Sequence, residues 1–140
     1  MRLGKAEGGA APPRPLSGAE DGPLFGSWSA TRWQYTRRTE APQSVDVVCD
    51  LGGTVTLSLS AGTYVLTYDV AGRGNRSEGG SCAVVDDRLH LTPQGIDVAD
   101  VVRFRIAAET LSLSAETSAW DFAGAGEEEV ADFVAVLVRL

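Results

Sequence analysis

Apolar and polar residues alternate with a period of two along much of the chain. Over 54–60, three apolar side chains fall on one face and hydroxyl side chains on the other, and the alternation returns over 63–70. Only Ala61 and Gly62 separate the two segments. Period two is typical of a half-buried strand, and a two-residue turn with glycine joins such strands as a hairpin. The sequence therefore predicts an antiparallel hairpin over 54–70.

Further segments repeat the pattern towards the C-terminus. Asp86 and Asp87 form a predicted turn, Phe104 and Ile106 share one strand face, and the valines of 130–139 favour a strand over a helix. Eight to ten short strands with little helix fit either two packed sheets or one closed sheet. Because nearly every connection is a simple hairpin, we predict an all-β, up-and-down antiparallel β-barrel of about eight strands.

The stretch around Gly52 and Gly53 is ambiguous. Apolar residues occupy odd positions on both sides of the two glycines. The pattern fits one long strand bent at the glycines, or two strands and a turn. The sequence leaves both interpretations open.

Composition divides the chain at residue 23. Residues 1–23 contain almost no large apolar side chain, so they bury too little surface to offset the entropy of ordering. We expect 1–23 to be a flexible N-terminal segment and 24–140 to be the barrel domain. The first residues also lack the apolar stretch of a secretory signal.

Charge and cysteine content narrow the function. A net charge of −7 disfavours a nucleic-acid or anionic-membrane partner, and no apolar run reaches the roughly 20 residues of a membrane helix. Cys49 and Cys82 are either two separate buried thiols or one disulfide. With a single histidine, His90, no common zinc site can be assembled.

No catalytic, metal or cofactor residues are predicted. His90 is out of phase with Leu89 and Leu91 and is expected at the surface as a plain imidazole. The stretch 121–129 lacks oxygen ligands at alternate positions for calcium and is interpreted as a turn. The glycine-rich stretch 72–80 is interpreted as a mobile loop near a barrel opening.

The stretch Gly26-Ser27-Trp28, together with Arg139 in the final "VLVRL", resembles the lipocalin and calycin barrels. Later stretches, such as "GTYVLTY" and "DDRLHL", are similar to short bacterial lipocalin-like domains. The resemblance implies that Trp28 plugs one end of the barrel and that Arg139 packs across its ring, a favourable cation–π arrangement. It also implies that Gly26 lets the chain turn beneath the indole, and it favours a periplasmic or envelope location.

Trp33 is out of phase with Trp28 and is expected outside the barrel or at its rim. The inward aromatic residues are the main functional lead, because an eight-stranded barrel either fills with side chains or holds one small ligand. We name Tyr64, Tyr68, Phe104 and Trp120 as candidate ligand-binding residues.

The predicted function is non-enzymatic binding of a small hydrophobic or amphipathic ligand. The alternative is a structural or protein-interaction module with a fully packed core. A barrel enzyme would need a polar cluster inside, and the inward residues are expected to offer only phenols. Oligomeric state and ligand identity stay open.

Overall fold

A computed structural model describes residues 14–15, 22–38, 43–72, 74–120, 122 and 126–140. Apart from one turn of 3₁₀-helix at Gly22–Leu24, every regular element is a strand. The strands are β1 (Arg14–Pro15), β2 (Gly26–Arg37), β3 (Ser44–Asp46), β4 (Thr54–Ser60), β5 (Thr63–Val70), β6 (Gly74–Val85), β7 (Arg88–Pro93), β8 (Asp100–Ala107), β9 (Thr110–Trp120) and β10 (Glu129–Arg139). Within the described residues, no helix has the length and apolar character needed to cross a bilayer.

Eight strands form a closed antiparallel barrel, which confirms the predicted fold class. Their order is β2-β4-β5-β6-β7-β8-β9-β10, and β10 pairs back onto β2. Each strand therefore pairs with its neighbours along the chain, apart from the closing pair. Two short strands lie outside this path, since β1 extends one edge of β6 and β3 pairs with β2.

The hairpin predicted over 54–70 is present with the expected register. β4 pairs with β5 from Thr54 opposite Asp69 to Ser60 opposite Thr63. Gly62 takes the positive φ of 73° that the tight turn needs. The C-terminal strand is also confirmed, because β10 spans Glu129–Arg139.

The interpretation of Trp33 as an outside or rim residue is wrong. The register between β2 and β10 shifts, because Arg32 lies opposite Val136 while Ala30 lies opposite Leu137. The extra residue, Thr31, reverses which positions of β2 face inward. Trp33 is consequently buried in the core, as Trp28 is.

A turn, and not one bent strand, precedes β4. The carboxylate of Asp46 accepts hydrogen bonds from the backbone N–H groups of Trp33, Val48 and Cys49. These bonds fold residues 47–51 back on themselves. The alternation of apolar odd positions therefore stops being that of a strand at residue 47. Of the two interpretations left open, the structure has two strands, β3 and β4, with a turn between them.

The interpretation of 72–80 as a loop is also wrong for most of its length. Residues 74–80 belong to β6, which pairs with β5 from Ser81 opposite Thr63 to Gly74 opposite Val70. The ladder supplies backbone hydrogen bonds, so the strand forms without an apolar face at this end. Most of the segment 1–23, which was expected to be flexible, lies outside the described residues. Within this segment, Arg14–Pro15 pairs with β6.

We call the end of the barrel at Gly26 and Arg139 the floor, and the opposite end the mouth. The turns β4–β5, β6–β7 and β8–β9 lie at the floor. The connections that follow β2, β5, β7 and β9 lie at the mouth.

Candidate functional site

The floor is closed by Trp28. Its side chain is fully buried, and its Nε1 donates a hydrogen bond to the Leu24 carbonyl at 3.0 Å. The guanidinium of Arg139 lies over the indole, 4.2 Å from the ring centroid. The first and last barrel strands are thus joined by a cation–π contact at the floor.

Arg139 also fixes the chain that enters β2. Its two terminal nitrogens donate to the carbonyls of Phe25 and Pro23 at 2.7 and 2.5 Å, and its Nε lies 3.0 Å from Glu109 Oε2. Gly26 has a φ of 118°, and a Cβ there would lie 3.2 Å from Arg139 Nη1. Backbone conformation and space therefore both favour glycine at this position.

Four aromatic rings line the interior on the β2, β9 and β10 side. Tyr35 stacks on Trp120 with centroids 5.0 Å apart and an interplanar angle of 13°. Phe133 contacts Tyr35 at 5.2 Å and Trp33 edge-on at 4.8 Å. Such pairs add to the stability that burial alone provides. We call these four residues the aromatic wall.

The aromatic wall contains one phenol hydroxyl, that of Tyr35. The ring is fully buried, and its oxygen accepts a hydrogen bond from Trp33 Nε1 at 3.0 Å. Among the described residues, no group accepts the hydroxyl hydrogen in return. Burial raises the pKa of Tyr35 well above its ordinary value, so the phenol stays protonated and keeps a hydrogen to donate.

The opposite side of the interior carries oxygen atoms. Tyr64, itself buried, donates a hydrogen bond from its hydroxyl to Glu78 Oε2 at 2.7 Å. Glu78 lies opposite Leu66 in the β5–β6 ladder and so shares its inward face. Burial, and next the bond to Glu78, raise the pKa of the Tyr64 phenol.

Tyr68 and Asp100 complete this side of the interior. We call Tyr64, Tyr68, Glu78 and Asp100 the oxygen wall. Asp100 is 6% exposed and lies opposite the inward-facing Leu91. Its charge contributes to the raised pKa values of both Tyr35 and Tyr64, so it lies near both walls. Tyr68 faces inward opposite Val55 and is half-buried.

The mouth end of the interior carries an arginine of its own. Arg37 Nη2 lies 2.7 Å from Glu129 Oε2, and its guanidinium lies 4.9 Å from the centroid of Phe122. The Nε of Arg37 is buried without a hydrogen-bond partner in the described part of the chain. Among the described residues, Arg37 thus makes fewer polar contacts at the mouth than Arg139 makes at the floor.

Three of the four candidate ligand-binding residues belong to the two walls of the interior. Tyr64 and Tyr68 lie on the oxygen wall, and Trp120 lies on the aromatic wall. Phe104 is half-buried and faces inward opposite Leu113, yet none of its described contacts joins it to the other three.

The expectation that inward residues offer only phenols is wrong, because Glu78 and Asp100 face the interior. Both could have been found by extending the alternation of neighbouring residues. Asp100 is in phase with Val102 on β8, and Glu78 is in phase with Cys82 and Val84 on β6. Tyr35 had no such signal, since the bulge at Thr31 reverses the phase of β2.

His90 and the cysteines also differ from expectation. His90 lies on the outer face, as its phase indicates, but it is only 9% exposed and is not a surface imidazole. Neighbouring outer residues such as Val101 are buried too, so burial there does not follow the alternation. Cys82 is buried, Cys49 is exposed, and the disulfide alternative does not form.

No group of three or more potential metal-ligating side chains occurs among the residues with described positions. Residues 121 and 123–125 of the last predicted turn lie outside the described residues.

In comparisons with models of protein families, with curated proteins and with solved structures, nothing matches this chain.

Proposed function

We propose that this protein binds a small hydrophobic or amphipathic molecule inside the barrel, without transforming it chemically. The likeness of the Gly-x-Trp start and terminal arginine to lipocalin-like domains favours this function. The two walls of the interior support it independently of that likeness.

The observation that carries the proposal is the buried Tyr35 hydroxyl. A buried donor without an acceptor costs about 1–3 kcal/mol, and protein interiors seldom leave such a group unsatisfied. A ligand with an oxygen or nitrogen acceptor would satisfy this hydroxyl while its apolar part packs on the aromatic wall.

The accessibility of the opposite wall also supports binding. Tyr68 and Glu78 face inward, yet both are half-buried and not fully buried. Solvent therefore reaches part of the interior surface. A barrel packed with side chains up to its mouth, the competing interpretation, would leave these two side chains less exposed.

Binding without catalysis is favoured by the position of the only histidine. His90 lies on the outer face, away from both walls. Glu78 is engaged as the acceptor of the Tyr64 hydrogen bond. The Tyr64–Glu78 contact does place a hydroxyl beside a carboxylate, but the pKa of that phenol is raised, so it stays protonated and is a poor nucleophile.

The test is uptake of the neutral apolar dye Nile red by the full chain, read as a rise in dye fluorescence. Glu78→Trp would fill the accessible part of the interior. Ser77→Trp, its neighbour on the exposed outer face of β6, adds the same indole outside the barrel. We expect dye affinity to fall about tenfold or more in the first variant and to stay unchanged in the second.

Equal dye binding by both variants and the unmodified chain would place the dye outside the barrel and overturn the proposal. Absence of dye binding, together with absence of any co-purified small molecule in native mass spectrometry, would favour the packed-barrel alternative. Circular dichroism of both variants checks that each keeps its strand content, and the native mass spectrum gives an answer even if Glu78→Trp does not fold.

A further inference from the structure

The polar groups of the oxygen wall favour a particular charge on the ligand. Its polar atoms are the phenol oxygens of Tyr64 and Tyr68 and the carboxylates of Glu78 and Asp100. The phenol of Tyr64 already donates its hydrogen to Glu78. What this wall offers to a ligand is therefore mainly negative charge and hydrogen-bond acceptors.

Glu78 is the accessible charge of this wall. It is half-buried on the inner face, and it accepts a hydrogen bond from the neutral Tyr64 hydroxyl. Among the described residues it has no ion pair, although Arg76 lies two positions away on the same face. A carboxylate in a partly apolar interior is costly without a cation beside it. A cationic ligand would supply that partner.

The neighbouring groups also favour a cation. Asp100 adds a second negative charge near Tyr64, as the raised pKa of that phenol reflects. The ring of Tyr68 lies on the same inner face as Glu78, and aromatic faces attract cations. The aromatic wall across the barrel supplies apolar surface for the rest of the molecule.

Among the described residues on the inner face of β6, Arg76 opposes a cation. It lies opposite Tyr68 on β6, nearer the mouth than Glu78, and its side chain is exposed. Exposed charges are screened by solvent and salt. Its position makes a carboxylate ligand the natural competitor in any test.

We infer that the ligand is a cationic amphiphile, an amine on an apolar chain, whose ammonium group contacts Glu78 between Tyr64 and Tyr68. This inference rests on the proposed function, since it specifies the ligand class of the same interior. It extends that function by giving the ligand a positive charge and by naming Glu78 as the residue that binds this charge.

The test compares three ligands with one tail, namely dodecylamine, 1-dodecanol and dodecanoate, each below its micelle concentration. Affinity is measured by competition with Nile red and by native mass spectrometry of the full chain. We expect dodecylamine to bind at least about tenfold more tightly than 1-dodecanol, the effect of one hydrogen bond to a charged group. Dodecanoate should bind most weakly.

Two variants with the same change in net charge locate the effect. Glu78→Gln keeps an oxygen acceptor for Tyr64 but removes the charge, so the ratio of dodecylamine affinity to 1-dodecanol affinity should fall to about one. Glu116→Gln removes an exposed charge from β9, 3.8 Å from Arg103, and should leave all three affinities unchanged.

The outcomes separate the two proposals. Equal binding of amine and alcohol, or preference for dodecanoate, overturns the inference and leaves the proposed function standing. Equal loss of amine binding in both variants would indicate adsorption to an acidic surface and also overturns it. Failure of all three ligands to bind overturns both.

Discussion

The two ends of the barrel use similar parts in different ways. At the floor, Arg139 lies over Trp28 and beside Glu109; at the mouth, Arg37 lies over Phe122 and beside Glu129. Each arginine therefore combines an aromatic ring with one carboxylate. Both arginines belong to the β2–β10 pair that closes the barrel.

The difference lies in how completely each guanidinium is bonded. All three nitrogens of Arg139 have partners, two of them backbone carbonyls. Arg37 bonds one carboxylate, and its Nε has no partner among the described residues. Backbone carbonyls cannot move without moving the chain, whereas a side-chain carboxylate can. Among the described residues, the arginine at the floor is therefore bound to backbone atoms and the arginine at the mouth to a side chain. If the proposed function holds, we expect the mouth to be the end that moves when a ligand enters.

The largest expected effect is that of truncating the floor indole. Trp28→Ala should lower the free energy of unfolding by about 3–5 kcal/mol, since it leaves a large cavity and removes the surface beneath Arg139. Phe122→Ala at the mouth should cost under about 1 kcal/mol, because the ring is only half-buried. Urea unfolding followed by circular dichroism measures both. Similar costs for the two variants would contradict the comparison.

Replacing each arginine by lysine gives the next largest contrast. Arg139→Lys keeps the charge but cannot bond two carbonyls and Glu109 together, so we expect a loss of about 2 kcal/mol. Arg37→Lys keeps a cation beside Glu129 and should cost under about 1 kcal/mol, the usual range for a partly exposed ion pair. Thermal unfolding of the two variants provides the measurement, and a greater loss from Arg37→Lys would reverse the assignment of the fixed end.

Ligand entry should respond to the mouth alone. Arg37→Gln removes the ion pair with Glu129, so Nile red should bind and leave several times faster with stability nearly unchanged. Stopped-flow fluorescence gives both rates. Arg139→Gln is the matched variant at the floor and should leave the entry rate unchanged in the fraction that stays folded. Faster entry in the floor variant would mean that the dye enters by the other end.

The smallest effect concerns the reactivity of the two thiols. Cys49, in the turn near the mouth, should react with Ellman's reagent in the native protein, while buried Cys82 should react only in urea. The hydrogen bond and charge of Asp46 raise the pKa of the Cys49 thiol. Its reaction should therefore be slower than that of an unstructured thiol at pH 8 and accelerate as the pH rises. Cys49→Ser should abolish native-state labelling, and labelling that persists in this variant would show that Cys82 is accessible.

The sequence predicted those elements whose pattern is local. The hairpin over 54–70 follows from alternation and one glycine turn, and the contact of Trp28 with Arg139 was expected from resemblance. Glu78 and Asp100 were within reach of the same alternation, extended by two or four residues. Glu78 was missed because 72–80 was interpreted as a loop, and the strand predicted around Phe104 was not extended back to Asp100.

Features that depend on pairing between distant strands were not predictable. The bulge at Thr31 is set by the register of β2 against β10, about 100 residues apart in the chain. That register turns Trp33 inward and, with it, Tyr35. The burial of His90 on an outer face is likewise decided by what surrounds the strand and not by its own period.

The sequence by itself determined an antiparallel barrel, because period-two alternation, tight turns and hydrophobic burial act over short stretches of chain. The plug at the floor was expected only from the resemblance. The tertiary structure decided which polar groups meet inside that barrel. Strand register sets the partners of an inward side chain, and register is fixed only when all eight strands close upon one another. The hydrogen bond of Tyr64 to Glu78 exists only in the closed barrel. The same holds for the burial of the Tyr35 hydroxyl, whose hydrogen no described group accepts.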